Sequence, residues 1–339
     1  MNWGKIANFA YMKVVIDDKI PFIKGKIEKL VEDVVYKKGG DISREDVKDA
    51  DMLIVRTRTR CDERLLSGSK VGLVVTATIG YDHLDTAFLE QAGIQWTNCP
   101  GCNASSVMQY VHNSLFAIGK LKRGLVAGVI GVGHVGTLVA DDLEGEGMHV
   151  LRCDPPKGEP ATLEEIAEKA DIITFHTPLT YDGDCPTYHM ADRRFFDALK
   201  RKPLIINSSR GGVVDEAALL GAMSDGKVTD CIIDTWEGEP KINLELLDKA
   251  VIATPHIAGY SADGKANATR MALEAVCRFL GKEMTIDVCP PELPEDFSYG
   301  EETEGCLRLY DPRVDSRRLK SSPESFEKWR GDYPLRREK

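Results

Sequence analysis

The segment Gly131-Val132-Gly133-His134-Val135-Gly136 limits the fold of this chain more than any other stretch. It directly follows the small and apolar run LVAGVI and opens a helix-like segment, VGTLVADDLEGEG. In that setting the first glycine permits a tight turn, the second lets backbone approach a pyrophosphate, and the third allows helix and strand to pack closely. The helix N-terminus then presents unpaired N–H groups and a positive partial charge to the anion. Asp154 ends the next strand candidate, HVLRCD, at about the 20-residue spacing where an acid pairs with the adenosine ribose hydroxyls. A dinucleotide site is therefore expected at Gly131, Gly133, His134, Val135, Gly136 and Asp154. A carboxylate repels a 2′-phosphate and no arginine immediately follows Asp154, so the expected cofactor is NAD rather than NADP.

The alternation continues on both sides of this motif. From Met12 the chain runs through an apolar strand, KVVIDD, a helical stretch, and the strands MLIVRT and GLVVTATIG. A long helical pattern follows Asn103, with Val107, Tyr110, Val111, Leu115 and Ile118 on one face, placed to connect two domains. After the glycine motif come the strand candidates HVLRCD, DIITFH, PLIINSS, CIIDTW and VIATPH, then an amphipathic helix ending before Gly281. The texture then changes to CPPELPEDFSYGEETEG, a loosely packed joint, and to a strongly charged tail. Length agrees, since 339 residues favour two domains plus an additional segment. The expected class is α/β, with two Rossmann-like parallel-sheet domains. Residues 1–11 are read as an extension without a matching element.

In open α/β sheets ligands lie beyond the carboxyl ends of the strands. This chain places unusual polar residues there one strand after another: His176 and Thr177, then Ser208, Ser209 and Arg210, then Asp234 and Glu239, then His256, Gly259 and Tyr260. Arginine holds a carboxylate bidentately, histidine moves a proton at neutral pH, and a glutamate stabilises the imidazolium form. Beside a nicotinamide, Arg210, His256 and Glu239 thus suit oxidation of a hydroxyl next to a carboxylate. In VRTRTR, Arg56, Arg58 and Arg60 alternate with hydroxyls, and an extended conformation would put the arginines on one face as a phosphate site.

The stretches VVIDDKIPF, IVRTRTRCDERLL, TATIGYDHLDTAFLEQAGI, PGCNASSVMQYV, GVIGVGHVG, TFHTPLT, INSSRGGVVD, IIDTWEGEP and TPHIAGYSADGKA resemble the D-isomer-specific 2-hydroxyacid dehydrogenases from Met12 to about Gly281. The resemblance implies a discontinuous substrate domain (12–103 and 257–285), an NAD-binding domain (104–256) and a C-terminal dimerisation segment (286–339) that stops where relatives usually continue. It puts the catalytic arginine, glutamate and proton-donating histidine at Arg210, Glu239 and His256. It puts cofactor contacts at Asp154, Thr177, Ser208, Ser209, Arg210, Asp234 and Gly259, and substrate contacts at Thr57, Thr78 and Tyr260. A small phosphorylated hydroxy acid is the implied substrate, with Arg56 in its phosphate site, and a homodimer the implied assembly. Another acid of the family's range, such as 3-phosphoglycerate or glycerate, stays open, as does a nicotinamide-sensing regulator on the same fold.

Composition sets the outer limits. A net charge of −10 argues against a nucleic-acid or anionic-membrane surface. No apolar stretch reaches the roughly 18–20 residues of a spanning helix, and a cytoplasmic location is expected. The nine cysteines are scattered and are read as reduced thiols. Cys99-Pro100-Gly101-Cys102 has no second pair to close a zinc site, so no metal is assigned.

Overall fold

The computed structural model describes residues 12–302, 305–334 and 336–338. The expected extension at residues 1–11 lies outside them. The chain divides into two units, residues 12–103 with 262–292 and residues 104–261 with 293–338. The division falls after Ser261 rather than after His256, so the turn that follows His256 stays with the nucleotide-binding unit. Residues 293–338 cluster with that same unit.

Strands of the first unit are β1 (Lys13–Asp17), β2 (Asp33–Lys37), β3 (Met52–Val55), β4 (Leu73–Thr76) and β5 (Gln95–Thr97), in spatial order β2-β1-β3-β4-β5. Those of the second are β6 (Val126–Ile130), β7 (His149–Cys153), β8 (Ile172–Phe175), β9 (Leu204–Asn207), β10 (Asp230–Ile233) and β11 (Ile252–Ala253), in order β11-β10-β9-β8-β6-β7. Every pairing is parallel. Parallel strands covered on both faces read as continuous apolar runs, and the packing shows why. Alternate residues enter separate cores: Ile130, Ile173, Phe175, Ile205 and Ile233 on one face of the second sheet, Val129, Ile172, Ile206, Ile232 and Ile252 on the other. The first sheet divides likewise, with Val14, Ile16, Met52 and Ile54 facing one core and Val15, Leu53 and Val55 the other.

Two local readings change. The segment after KVVIDD, expected to be helical, forms only a short 3-10 turn (Ile27–Lys29) before β2, because the β-branched and aromatic DVVYK pairs with β1 along its whole length. The VRTRTR stretch does not stay extended. β3 ends at Val55, Thr59 N donates to Arg56 O at 3.3 Å, and the buried Thr59 hydroxyl donates to Gly39 O at 2.8 Å. The chain turns there, and the arginines part company.

The helix after Asn103 spans Ala104–Ala117, and the last amphipathic one spans Ala262–Phe279. Beyond it the tail forms helices Gly305–Leu309, Pro312–Ser321 and Phe326–Gly331. Among the described residues no helix is long and apolar enough to cross a membrane. The tail is anchored rather than solvated: Leu319 and Phe326 enter the core, and Arg336 is 1% exposed. Its guanidinium donates to the carbonyls of Ile257 (3.0 Å), Tyr260 (2.6 Å), Ala258 (2.6 Å) and Ser106 (3.1 Å) and to Gln109 Oε1 (3.1 Å), and its face lies 3.8 Å from the Tyr310 ring centroid. Removing it strands several buried acceptors at once. Arg336→Met should lower stability by roughly 3 kcal/mol or more; a urea midpoint equal to that of the parent protein would contradict the role assigned to these bonds.

Candidate active site

Both sheets reverse their strand order beside the first strand, between β1 and β3 and between β6 and β8. Such a switch point opens a crevice at the carboxyl ends of the strands. In the second unit the glycine turn occupies it. Gly131 N donates to Cys153 O (2.8 Å) and His176 N to Ile130 O (2.7 Å), tying the turn to β7 and β8. Gly131 has φ +87°, and a Cβ on Gly136 would lie 1.8 Å from the Gly131 carbonyl oxygen. Gly133, by contrast, has only the Lys157 ammonium within 4 Å of a Cβ position, at 3.8 Å, so its backbone is open to a ligand. His134 is exposed at the start of helix His134–Gly145, with Val135 behind it.

Asp154 stands at the end of β7 and accepts from Val132 N at 2.8 Å. Lys157 donates to Val132 O at 2.8 Å. Sequence reasoning looked for arginine directly after Asp154 and passed over this lysine three positions on. Thr177 adjoins Gly131. His176 Nε2 bonds the Thr174 hydroxyl at 2.9 Å, while its Nδ1 is buried and unpartnered. Burial pushes the imidazole down to about 3 and keeps it neutral. The Ser208 hydroxyl is likewise buried without a partner. A bare glycine turn over a helix N-terminus, with an acid and orphaned polar atoms beside it, fits a dinucleotide.

At the end of β9, Asn207 shapes the turn carrying Ser208, Ser209 and Arg210. Its amide donates to Arg210 O (3.0 Å) and its Oδ1 accepts from Ser209 Oγ (2.9 Å). An asparagine at a strand end is a turn signal that sequence reasoning did not use. Gly211 then passes so close to the next loop that a Cβ would lie 2.0 Å from Trp236 O.

That loop carries Glu239. Its Oε1 accepts from Trp236 N at 2.9 Å, and His256 Nδ1 lies 2.8 Å from Oε2 and 3.1 Å from Oε1. Burial opposes ionisation of this carboxyl, but the His256 bond and charge, the Trp236 N–H and the Arg330 guanidinium together hold it below its usual value. His256 has φ 57°, a left-handed conformation uncommon outside glycine. Asp234, buried at the end of β10, makes that turn possible: it accepts from Thr254 Oγ1 (2.6 Å), Ile257 N (2.8 Å) and Ala258 N (3.0 Å). Gly259 and Tyr260 follow, the Tyr260 ring lying edge-on to Tyr333 with centroids 5.9 Å apart.

The second unit thus gathers Arg210, Asp234, Glu239 and His256 on adjoining strand ends. The remaining sequence candidates belong to the first unit. Arg56 straddles the buried Asp17 carboxylate (3.1 and 3.3 Å) at the end of β1, Thr57 is exposed, and Arg60 pairs with Asp62 at 3.3 Å. Thr78 donates to Gly80 O (2.8 Å) and bonds the Thr76 hydroxyl (2.7 Å), which also meets His83 Nε2 (2.9 Å). Cys99 Sγ donates to the Thr76 and Ala268 carbonyls, and burial pushes its thiol up to about 12.

Substitution should separate these roles. Gly136→Ala should cost about 1–3 kcal/mol through overpacking and abolish NADH binding, and tight binding by fluorescence titration would show that the turn is not the cradle. Asp154→Ala should weaken NAD(H) relative to NADP(H), with an unchanged ratio pointing to a different acid.

Residues 104–258 match the family model described as D-isomer specific 2-hydroxyacid dehydrogenase, NAD binding domain. The chain is 52% identical to an erythronate-4-phosphate dehydrogenase from Bacteroides thetaiotaomicron, covering 96% of this chain and 97% of that one. It is 41% identical to one from Porphyromonas gingivalis, covering 96% and 94%. Among solved structures, an NAD+-bound 3-phosphoglycerate dehydrogenase from Entamoeba histolytica superposes with a TM-score of 0.67 at 28% identity, covering 80% of this chain and 96% of that one. With the glycine turn and the histidine–glutamate pair on adjoining strand ends, these likenesses make the chain an NAD-dependent oxidoreductase that belongs to the D-isomer-specific 2-hydroxyacid dehydrogenase family.

Proposed function

We propose that this chain oxidises 4-phospho-D-erythronate to 2-oxo-3-hydroxy-4-phosphobutanoate with NAD, a step of pyridoxal phosphate (vitamin B6) biosynthesis, acting as a cytoplasmic homodimer. The observation that carries the chemistry is the His256–Glu239 pair. With Nδ1 committed to the carboxylate, Nε2 is the nitrogen left to meet substrate. The substrate assignment rests on the 52% identity to an erythronate-4-phosphate dehydrogenase along nearly the whole chain.

The glycine turn, Asp154, Thr177, the Ser208 to Arg210 turn, Asp234 and Gly259 would hold NAD, which would supply the hydride acceptor. Arg210 binds the substrate carboxylate and fixes the C2 hydroxyl against His256. His256 takes the hydroxyl proton at Nε2 as the C2–H electrons depart, and the new imidazolium is balanced by Glu239. Thr57, Thr78 and Tyr260 contribute further substrate contacts. Arg56, which pairs with Asp17 at the end of β1, is assigned to the substrate phosphate.

His256→Asn should lower turnover about 10²-fold or more while sparing NADH binding, and near-normal turnover would remove His256 from the mechanism. The deciding assay follows nicotinamide absorbance with 4-phosphoerythronate, 3-phosphoglycerate, glycerate and lactate and their 2-oxo partners. Selective turnover of the 4-phosphoerythronate pair is expected. Preference for another pair would move the substrate and keep the chemistry, whereas cofactor binding without turnover would favour a nicotinamide-sensing regulator. Light scattering of the purified protein tests the dimer.

A further inference from the structure

Glu239 has a second cation beside it, contributed by the tail. Arg330 lies in helix Phe326–Gly331, and its Nη1 stands 3.5 Å from Glu239 Oε2, the oxygen that also takes the shorter His256 contact. The Arg330 side chain is 27% exposed and also hydrogen-bonds the Tyr260 side chain. Its position is held from behind. Phe326 is buried in the core with Leu319, Trp329 packs against that core, and Lys320 donates to the carbonyls of Ala250 (2.6 Å) and Asp248 (3.2 Å) just before β11. The guanidinium therefore meets the catalytic loops from a fixed base.

The chemistry needs such a group. A half-buried carboxylate stays ionised only while something positive faces it. His256 is positive for only part of the catalytic cycle. When the imidazole is neutral and ready to accept a proton, Glu239 would otherwise be an uncompensated charge in a poorly solvated place, prone to take up a proton and lose its grip on Nδ1–H. Arginine keeps its charge throughout. Among the groups facing Glu239, the Trp236 N–H adds a fixed donor without a full charge, the buried Glu216 opposes a further negative charge, and Asp234 faces His256 from the end of β10; Arg330, itself faced by Glu239, Tyr260 and Glu327, brings the permanent positive charge.

We propose that Arg330 is a positioning residue for the acid–base step, keeping the Glu239 carboxylate ionised and turned toward His256 Nδ1 in both protonation states of the histidine. The inference rests on the assignment of His256 as the proton carrier. It makes the C-terminal helix part of the catalytic apparatus.

The test compares Arg330→Gln and Arg330→Lys with the parent protein. The first readout is the pH titration of the Glu239 carboxyl carbon by NMR in the cofactor-free protein, with the signal assigned by its loss in Glu239→Gln. The Glu239 carboxyl sits below its usual value with Arg330 present, so in Arg330→Gln its titration should move to higher pH, and in Arg330→Lys it should stay close to that of the parent. The second readout is turnover. Arg330→Gln should lower kcat roughly tenfold, leave KM and NADH affinity nearly unchanged, and move the acid limb of the pH profile upward. A Glu239 titration unchanged in Arg330→Gln would overturn the proposal, as would a pH-independent loss of turnover that lysine fails to restore. If Arg330→Gln does not fold, as judged by NADH binding, Arg330→Met takes its place: a Glu239 titration moved to higher pH supports the proposal and a parent-like one refutes it. The NMR arm needs no substrate, so absence of turnover on every hydroxy acid would count against the proposed function and not against this assignment.

Discussion

The strand-end turns of the second unit depend on one buried carboxylate. Asp234 collects the Thr254 hydroxyl and the N–H groups of Ile257 and Ala258, while its own carbonyl accepts from His256 N at 2.8 Å. Burial raises the Asp234 carboxyl above its ordinary range, the His256 charge and these donors acting against that rise. Satisfying the turn's donors from below lets His256 adopt a left-handed backbone without leaving polar groups stranded. The imidazole is then directed at Glu239, whose carboxylate is in turn braced by Trp236 N. A single acid at the end of β10 thereby fixes the backbone on which the His256 side chain stands.

The sheets provide the frame for that arrangement. Each strand sends alternate residues into two separate apolar cores, so neither sheet can slip by one residue without turning both cores inside out. A rigid register places the carboxyl ends of β6, β8, β9 and β10 side by side, and short turns there carry the glycine motif, Thr177, Arg210 and Glu239. The first unit repeats the layout, with Asp17 after β1 and Arg56 after β3 flanking its own switch point. Two copies of one strand order thus support different chemistry, nucleotide binding in one and an arginine–aspartate pair in the other.

Much of this was legible from local pattern. Fully buried parallel strands write themselves as apolar runs, and β6 to β11 all fall where the runs predict. The glycine turn, Asp154, Arg210, Glu239 and His256 stood out as candidates because each lies within six residues after the end of such a run. The strand β2 was hidden because DVVYK sits among lysines and acids and is only half-buried, so no apolar run announces it. The turn after β3 was hidden because its cause, the Thr59 bond to Gly39 O, is made 20 residues away. Arg330 and Arg336 were illegible for the same reason on a larger scale. In a charged tail, an arginine that will be buried carries no local mark that separates it from one that stays in water.

The long reach of Arg336 has a consequence for how the protein is made. The Tyr260 carbonyl it binds lies 76 residues earlier in the chain. During synthesis the whole six-stranded sheet and the His256 turn emerge from the ribosome well before their clamp does, and domains fold from the N-terminal side as they appear. For that interval the carbonyls of Ile257, Ala258 and Tyr260 lack the donor that Arg336 gives them in the folded unit. The turn that carries His256 is therefore closed from behind only after residue 336 has been made, its bonds waiting on a single arginine.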